Sequence, residues 1–179
     1  MVQLRRFKQS DIEDYVRWFT VDTEWFKWDA PWEQEVMSPE RVRENWALYY
    51  ERRRHDAPDA ICYRFEIEDE RRNHIGWVSA YTIDEFLDQF DTKEKMFAIG
   101  IDIPELRFRR KGYGSFALRR FMAYFKSRGV KTIYMQTWSG NIGMIRTAEK
   151  LGFTVSNRIA GVREVAGKKY DALTFKKAL

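Results

Sequence analysis

Cysteine is nearly absent from this chain: Cys62 is the only one in 179 residues. A lone thiol cannot close an internal disulfide, so a disulfide-stapled scaffold is excluded and a reducing cytoplasm is the expected setting. Two histidines beside that cysteine are too few for a Cys/His zinc cluster, and no metal is expected. Cys62 sits in a strand-like run and reads as a buried structural thiol rather than a nucleophile. No apolar run approaches the ~20 residues of a membrane span. The opening Met-Val-Gln-Leu-Arg-Arg-Phe has no apolar signal-peptide core, so neither membrane insertion nor export is expected. Repeats, low-complexity tracts and linkers are missing as well, which leaves one domain over residues 1–179.

What is present suits a packed core. Hydrophobic residues make up 44% and aromatics 16% of the chain, well outside the composition of disordered segments. The charge balance is +5, from 32 Lys and Arg against 27 Asp and Glu. That excess suits an anionic ligand and also permits nucleic acid. Against nucleic acid, acids and bases are interleaved, with basic runs only at Arg52-Arg53-Arg54 and over 107–111. The first run reads as a solvated surface.

The chain then falls into elements. Residues Val2 to Lys8 read as an opening strand. Ser10-Asp11-Ile12-Glu13 has the form of a capping box, with Ser10 as N-cap of a helix that buries Ile12, Tyr15, Val16 and Phe19. Ser38-Pro39 starts a second helix, with Val42, Trp46 and Tyr49 on its buried stripe and an end near Arg54. Ala60 to Glu68 and Ile75 to Ile83 alternate as a hairpin around the turn at Asp69–Asn73. Asp84 to Asp91 is a loop or short helix, and Lys95 to Ile103 is the next strand. Thr132 to Trp138 is another strand, followed by a helix ending at Gly152, with Gly129 ending the helix before it. Phe153–Val165 and Tyr170–Lys177 close the chain as a hairpin. The order is β-α-α-β-β-β-α-β-α-β-β.

The informative stretch is Arg109-Arg110-Lys111-Gly112-Tyr113-Gly114-Ser115. It joins the strand ending Ile101-Asp102-Ile103 to a helix with Tyr113, Ala117, Phe121, Tyr124 and Phe125 at helical spacing. Glycines let a ligand approach the backbone without a Cβ in the way. The first N–H groups of the helix have no internal partner, and the helix dipole favours an anion there. This is a phosphate cradle in prospect, against the plainer reading of a basic surface turn. It is not a Walker loop, because no Gly-Lys-Ser/Thr follows.

Together with Asn141…Glu149-Lys150-Leu151-Gly152-Phe153, the Arg-x-x-Gly-x-Gly at 109–114 resembles the GNAT superfamily of acetyl-CoA-dependent N-acetyltransferases. The branch most like it includes the ribosomal-protein N-terminal acetyltransferases. The resemblance implies an α/β fold with a central, mostly antiparallel twisted sheet of about seven strands, a splay between the two central strands, and helices on both faces. It implies acetyl-CoA as donor and an amine as acceptor, attacking directly.

Carried over position by position, the backbone of Arg110, Lys111, Gly112, Gly114 and Ser115, with Tyr113 among them, would hold the pyrophosphate, and Arg109 would shape the loop. The backbone of Ile101, Asp102 and Ile103 would pair with the pantetheine arm, and Asn141 would bond it from the opposite strand end. Many relatives place a tyrosine at the position of Ala148 to protonate the leaving thiolate. Its absence leaves water, Ser139 or Thr147.

A general base must strip the ammonium form of the acceptor. Asp102 is the first candidate, with Asp84 and Glu85, at the end of the neighbouring strand, as alternatives. Each also reads as a solvated carboxylate. Trp25, Trp28 and Trp32 suggest an acceptor pocket, or else core packing. Trp77 reads as core. Peptide α-amines, polyamines, aminoglycosides and small amines all stay open as acceptors. A non-catalytic acyl-CoA sensor and, behind it, a basic nucleic-acid-binding domain are the competing readings. A monomer or homodimer is expected.

Overall fold

In the computed structural model, residues 1–57, 59–84 and 96–179 are described. Glu85 and all but the first residue of the loop expected over 84–91 lie outside them. The elements follow the expected order: β1 (Gln3–Arg5), α1 (Ile12–Thr20), α2 (Pro39–Arg53), β2 (Arg64–Glu68), β3 (His74–Ile83), β4 (Met96–Asp102), α3 (Tyr113–Ser127), β5 (Thr132–Trp138), α4 (Ile142–Lys150), β6 (Thr154–Val165) and β7 (Lys168–Ala178). They form a seven-stranded sheet in the order β1-β2-β3-β4-β5-β7-β6. Every pairing is antiparallel except β4 with β5, which is parallel. Among the described residues no helix is long and apolar enough to cross a membrane.

Local chemistry explains most boundaries. Ser38 accepts the N–H of Arg41 at 3.3 Å and Pro39 opens α2, as its spacing predicts. At α1 the expectation fails. Ser10 is exposed within a 3-10 turn over Gln9–Asp11, and it is the buried Asp11 that accepts the N–H of Lys8 at 2.8 Å. Arg5, arriving from β1, fixes that carboxylate at 2.7 and 2.8 Å, so a tertiary ion pair decides where the helix begins. α1 buries Trp18 along with Ile12, Tyr15 and Val16, while Phe19 is only half-buried. β2 is shorter than expected: Cys62 precedes it, and its N–H goes to the Tyr124 hydroxyl at 2.6 Å. The Cys62 thiol is buried and donates to the Arg64 carbonyl at 2.8 Å, as a structural thiol would.

Two cores sandwich the sheet. On one face Ile67, Val78, Phe97, Ile99, Ile133 and Met135 pack beneath α3 and α4. On the other, Trp77 packs with Tyr15, Trp18, Trp25 and Val42 beneath α1 and α2. Period-two alternation puts Trp77, Ser79 and Tyr81 of β3 on this second face. In register with them stand Asp102, Gly100 and Ala98 of β4, and beside Ala98 stands Tyr134 of β5. Gln136 and Trp138 follow Tyr134 on the same face.

Candidate active site

The parallel pair β4–β5 holds for only two register steps, Phe97 with Ile133 and Ala98 with Tyr134. Beyond them β4 stays on β3 as far as Asp102, and β5 stays on β7 as far as Trp138. The strands therefore part, and the backbone of β4 from Ile99 onward has no strand on its β5 side. An extended ligand could pair with that edge.

At the open end stands the glycine-bearing loop. Gly112 is the N-cap of α3 at φ +83°, with no side chain capping the helix and open space where a Cβ would stand. Arg110 is also left-handed, at φ +60°. Such alternation folds successive N–H groups into one concavity, and the uncapped dipole of a 15-residue helix lies behind it. Arg109 turns inward: its guanidinium donates to the carbonyls of Ile103 (2.7 Å) and Pro104 (2.8 Å) and to Glu24 (2.7 Å). It shapes the loop and has its donors committed. Arg110 and Lys111 are exposed. Gly114 faces the strand: a Cβ there would meet Ile101 Cδ1 at 3.5 Å and Ile103 Cδ1 at 3.8 Å, both ordinary van der Waals contacts.

On the opposite face the splay opens into a trough. β4 offers only Ala98 and Gly100 as its floor, between Trp77, Ser79 and Tyr81 on one side and Tyr134, Gln136 and Trp138 on the other. Tyr81 reaches across β4 and donates to Gln136 Oε1 at 2.9 Å, closing the inner end. Asp102 stands towards the outer end, bonded by the Trp77 indole.

The segment after α1 covers the trough. The carbonyl of Trp28 accepts from Trp138 Nε1 and Asn141 Nδ2, each at 3.0 Å. Gly140 permits the first of these, because a Cβ there would lie 1.8 Å from the folded-back Trp138 ring. Asn141 also caps α4, accepting the N–H of Met144 at 3.0 Å, so both ends of its amide are engaged within the protein. This docking brings Asp29 over the trough.

The electrostatics of the trough are unusual. Asp102 is half-buried, and the protein around it, first by burial and then through the charge of Asp29, holds its carboxyl well above the usual carboxylate range. Arg64 and Arg109 oppose that shift without cancelling it. Asp29 is raised too, by the protein on its inner side and then by Glu33, although the residue as a whole is exposed and solvent weakens that effect. Burial, with a smaller contribution from Asp29, raises the Tyr81 phenol, which stays protonated through the physiological range. Two like charges facing one site cannot both ionise freely, and an added cation would relieve them.

The expected tryptophan trio is divided. Trp25 is only 4% exposed, donates to the Trp18 carbonyl at 2.9 Å and belongs to the core. Trp28 and Trp32 stay at the surface, Trp32 edge-on to Trp138 with ring centroids 6.0 Å apart. Asp84 follows Ile83, which pairs with Met96 at the far end of β4, whereas Asp102 pairs with Trp77. Six residues of extended strand, about 20 Å, separate the two ends. Among the hydroxyls weighed as acids, Thr147 donates to the Gly143 carbonyl (2.8 Å), and Ser139 accepts the N–H of Asp171 (2.9 Å). Ala148 is fully buried in the core beneath α3 and α4. Sequence reasoning missed Asp29 and Tyr81. Only the strand alternation from Trp77 could have placed Tyr81 on the site face.

A sheet that splays beside an uncapped, glycine-opened helix defines an acyl-CoA-dependent transferase. The family model for the acetyltransferase (GNAT) domain matches residues 2–154, and the chain belongs to that family of acetyl-CoA-dependent N-acetyltransferases. Solved structures share the fold. The ribosomal-protein-alanine N-acetyltransferase of Brucella melitensis aligns with a TM-score of 0.72 at 17% identity, over 99% of each chain. Spermidine N-acetyltransferase from Vibrio cholerae, in complex with CoA and spermine, gives 0.73 at 17%, over 99% of this chain and 95% of that one. The Salmonella typhimurium protein yncA, with its cofactor acetyl-CoA, gives 0.73 at 18%, over 100% and 94%. No curated protein matches the chain.

Proposed function

We propose that this acetyltransferase takes a cationic primary amine as acceptor and binds it as the ammonium in the trough between Asp29 and Asp102. The observation that supports the reading is the pair of mutually repelling carboxyls beside a floor of Ala98 and Gly100, neither of which forms an ion pair among the described residues. Acetyl-CoA supplies an activated thioester. The residues present fit it: the backbone of Arg110 to Ser115 would hold the pyrophosphate at the α3 N-terminus, and the free edge of β4 at Ile101, Asp102 and Ile103 would pair with the pantetheine arm. Asn141 would act mainly by fixing the end of β5 and the covering loop.

Each chain group then has a stated task. Asp29 and Asp102 attract and orient the ammonium. The arriving cation relieves their repulsion, so Asp102 ionises and takes the amine's proton, leaving a free amine to attack. Asp102 is favoured over Asp84 because the β3–β4 register puts Asp84 at the closed end of the splay. The free backbone donors of β4 stabilise charge developing on the thioester oxygen, and holding both reactants supplies several kcal/mol more. A thiol pKa near 8.5 means that solvent protonates the leaving thiolate with little help. The test is a panel of peptide α-amines, polyamines, aminoglycosides and small amines with acetyl-CoA, read as free thiol. Turnover should be confined to amines that are protonated at the assay pH. Thiol release from none of them, with acetyl-CoA still bound, would turn the chain into an acyl-CoA sensor.

A further inference from the structure

A second cavity lies away from the trough. It occupies about 380 Å³, within the range of small-molecule sites. Its walls are the end of α2, the turn after β1 and the segment entering β2, which includes Cys62. The N–H of Cys62 bonds the Tyr124 hydroxyl, near the C-terminal end of α3. The phosphate cradle is at the opposite end of that helix, so about 20 Å of helix separates the two places.

The chemistry of the cavity is one-sided. Asp56 is the only acid among its lining residues. It is shared by Arg6 at 4.0 Å and Arg53 at 3.4 Å. Both distances exceed the 2.7–2.9 Å of a charge-assisted bond, and the two side chains are 46% and 50% exposed, so each guanidinium keeps donors that a ligand could take from water. Arg53 also lies over the Tyr49 ring, at 5.9 Å from its centroid. Tyr49, Tyr50 and Tyr63 line the same space, and among the described residues none of their hydroxyls has a hydrogen-bond partner in the protein. Two loosely paired guanidiniums and the aromatic residues Phe7, Tyr49, Tyr50 and Tyr63 therefore border one hollow. An oxyanion attached to a flat apolar body matches both, because the rings cover the body while the guanidiniums fork onto the oxygens.

We infer that this cavity binds a small organic anion, a carboxylate or a phosphate monoester on an aromatic body, at a site separate from the transfer site. The test is calorimetry on the full chain at fixed ionic strength with CoA saturating, so that the phosphate cradle is filled. The probes are 4-hydroxybenzoate and phenyl phosphate, which distinguish the two anion types. Saturable binding of one or both is expected, weakened at least tenfold in Arg6→Gln/Arg53→Gln while CoA affinity is unchanged. Should the double variant fold poorly, Arg6→Gln alone, whose side chain is 46% exposed, should still weaken binding several-fold. No saturable binding of either probe, or equal affinity in wild type and variants, would overturn the site.

Discussion

Two groups of charge lie on the same sheet face, and they are built on opposite rules. Beneath α1, His74 Nδ1 meets Asp14 and His74 Nε2 meets Glu66, both at 2.9 Å. Glu66 also accepts from the Tyr15 hydroxyl at 2.6 Å and pairs with Arg64 at 3.2 Å, and Arg5 joins Asp11 to Glu68. Burial pulls the His74 pKa down, yet its bonds to Asp14 and Glu66 hold it above the ordinary value, so the cluster keeps a cation inside it. In the trough, a short distance along the sheet, Asp29 and Asp102 act on one another, and neither forms an ion pair among the described residues. The nearest arginines serve other partners: Arg64 is held among the Tyr15, Trp46 and Trp77 rings at 5.0, 4.6 and 4.5 Å, and Arg109 is bound to Glu24. Compensated charge fastens a helix to a sheet. Uncompensated charge waits for a partner from outside, and the strain it stores belongs at a functional site.

The largest effect should come from breaking the compensated cluster. Glu66 is fully buried, and Glu66→Ala would remove the carboxylate that Arg64 and His74 Nε2 share. Removing one partner of a buried ion pair costs about 3–5 kcal/mol. Denaturant unfolding should register that loss. A change below about 1 kcal/mol would mean that the cluster contributes little to holding α1.

Filling the trough should do the reverse, sparing the fold and harming the reaction. Among the described residues a Cβ at Gly100 would meet only Ser79 Oγ, at 3.7 Å, so Gly100→Val should melt near wild type. Its side chain would rise from the trough floor, and kcat/KM for the acceptor should fall about tenfold, which is roughly 1.4 kcal/mol. Steady-state kinetics with a varied amine check it. An unchanged kcat/KM would remove the acceptor from this face.

The smallest effect belongs to the donor end. If backbone donors hold the pyrophosphate, Lys111→Ala should weaken acetyl-CoA binding by only about 0.3–1 kcal/mol, the worth of one exposed cation at a helix N-terminus. Gly112→Val, forced to a left-handed φ, should lose far more. Equal losses in calorimetry would shift the cradle's attraction from backbone to side-chain charge.

What the sequence disclosed divides along the same line between local and distant causes. The Ser38-Pro39 helix start and the 109–115 loop were legible because cap and loop geometry depend on residues a few positions apart. Ser10 misled because Asp11 answers to Arg5 on another element. Trp25, Trp28 and Trp32 look alike in the sequence, but the 3-10 turn over Thr23–Lys27 sends the first into the core. Asp29 reaches the trough only because the Trp28 carbonyl docks on Trp138, 110 residues on. Asp84 ends a strand beside β4, as expected, yet antiparallel register puts it at the wrong end. The seven-stranded architecture and its splay were implied by the family resemblance, with which the order of elements agrees, whereas the paired carboxyls required three strands in register and a docked loop.

The pH dependence of Asp102→Asn tests the central claim most directly. The Asp102 carboxyl is raised in the folded protein, so it keeps its proton well above pH ~4, where the unfolded chain releases it. A group of this kind supports the fold fully below the unfolded pKa and loses that support as pH rises through the folded pKa. The Asn variant should therefore match wild type in stability near pH 4 and exceed it at neutral pH. Its transfer rate should behave oppositely. In wild type, kcat/KM should rise with pH as Asp102 ionises, and in the Asn variant it should be low and without that rise. A variant that keeps the wild-type rising limb would contradict the assignment of Asp102 as the base.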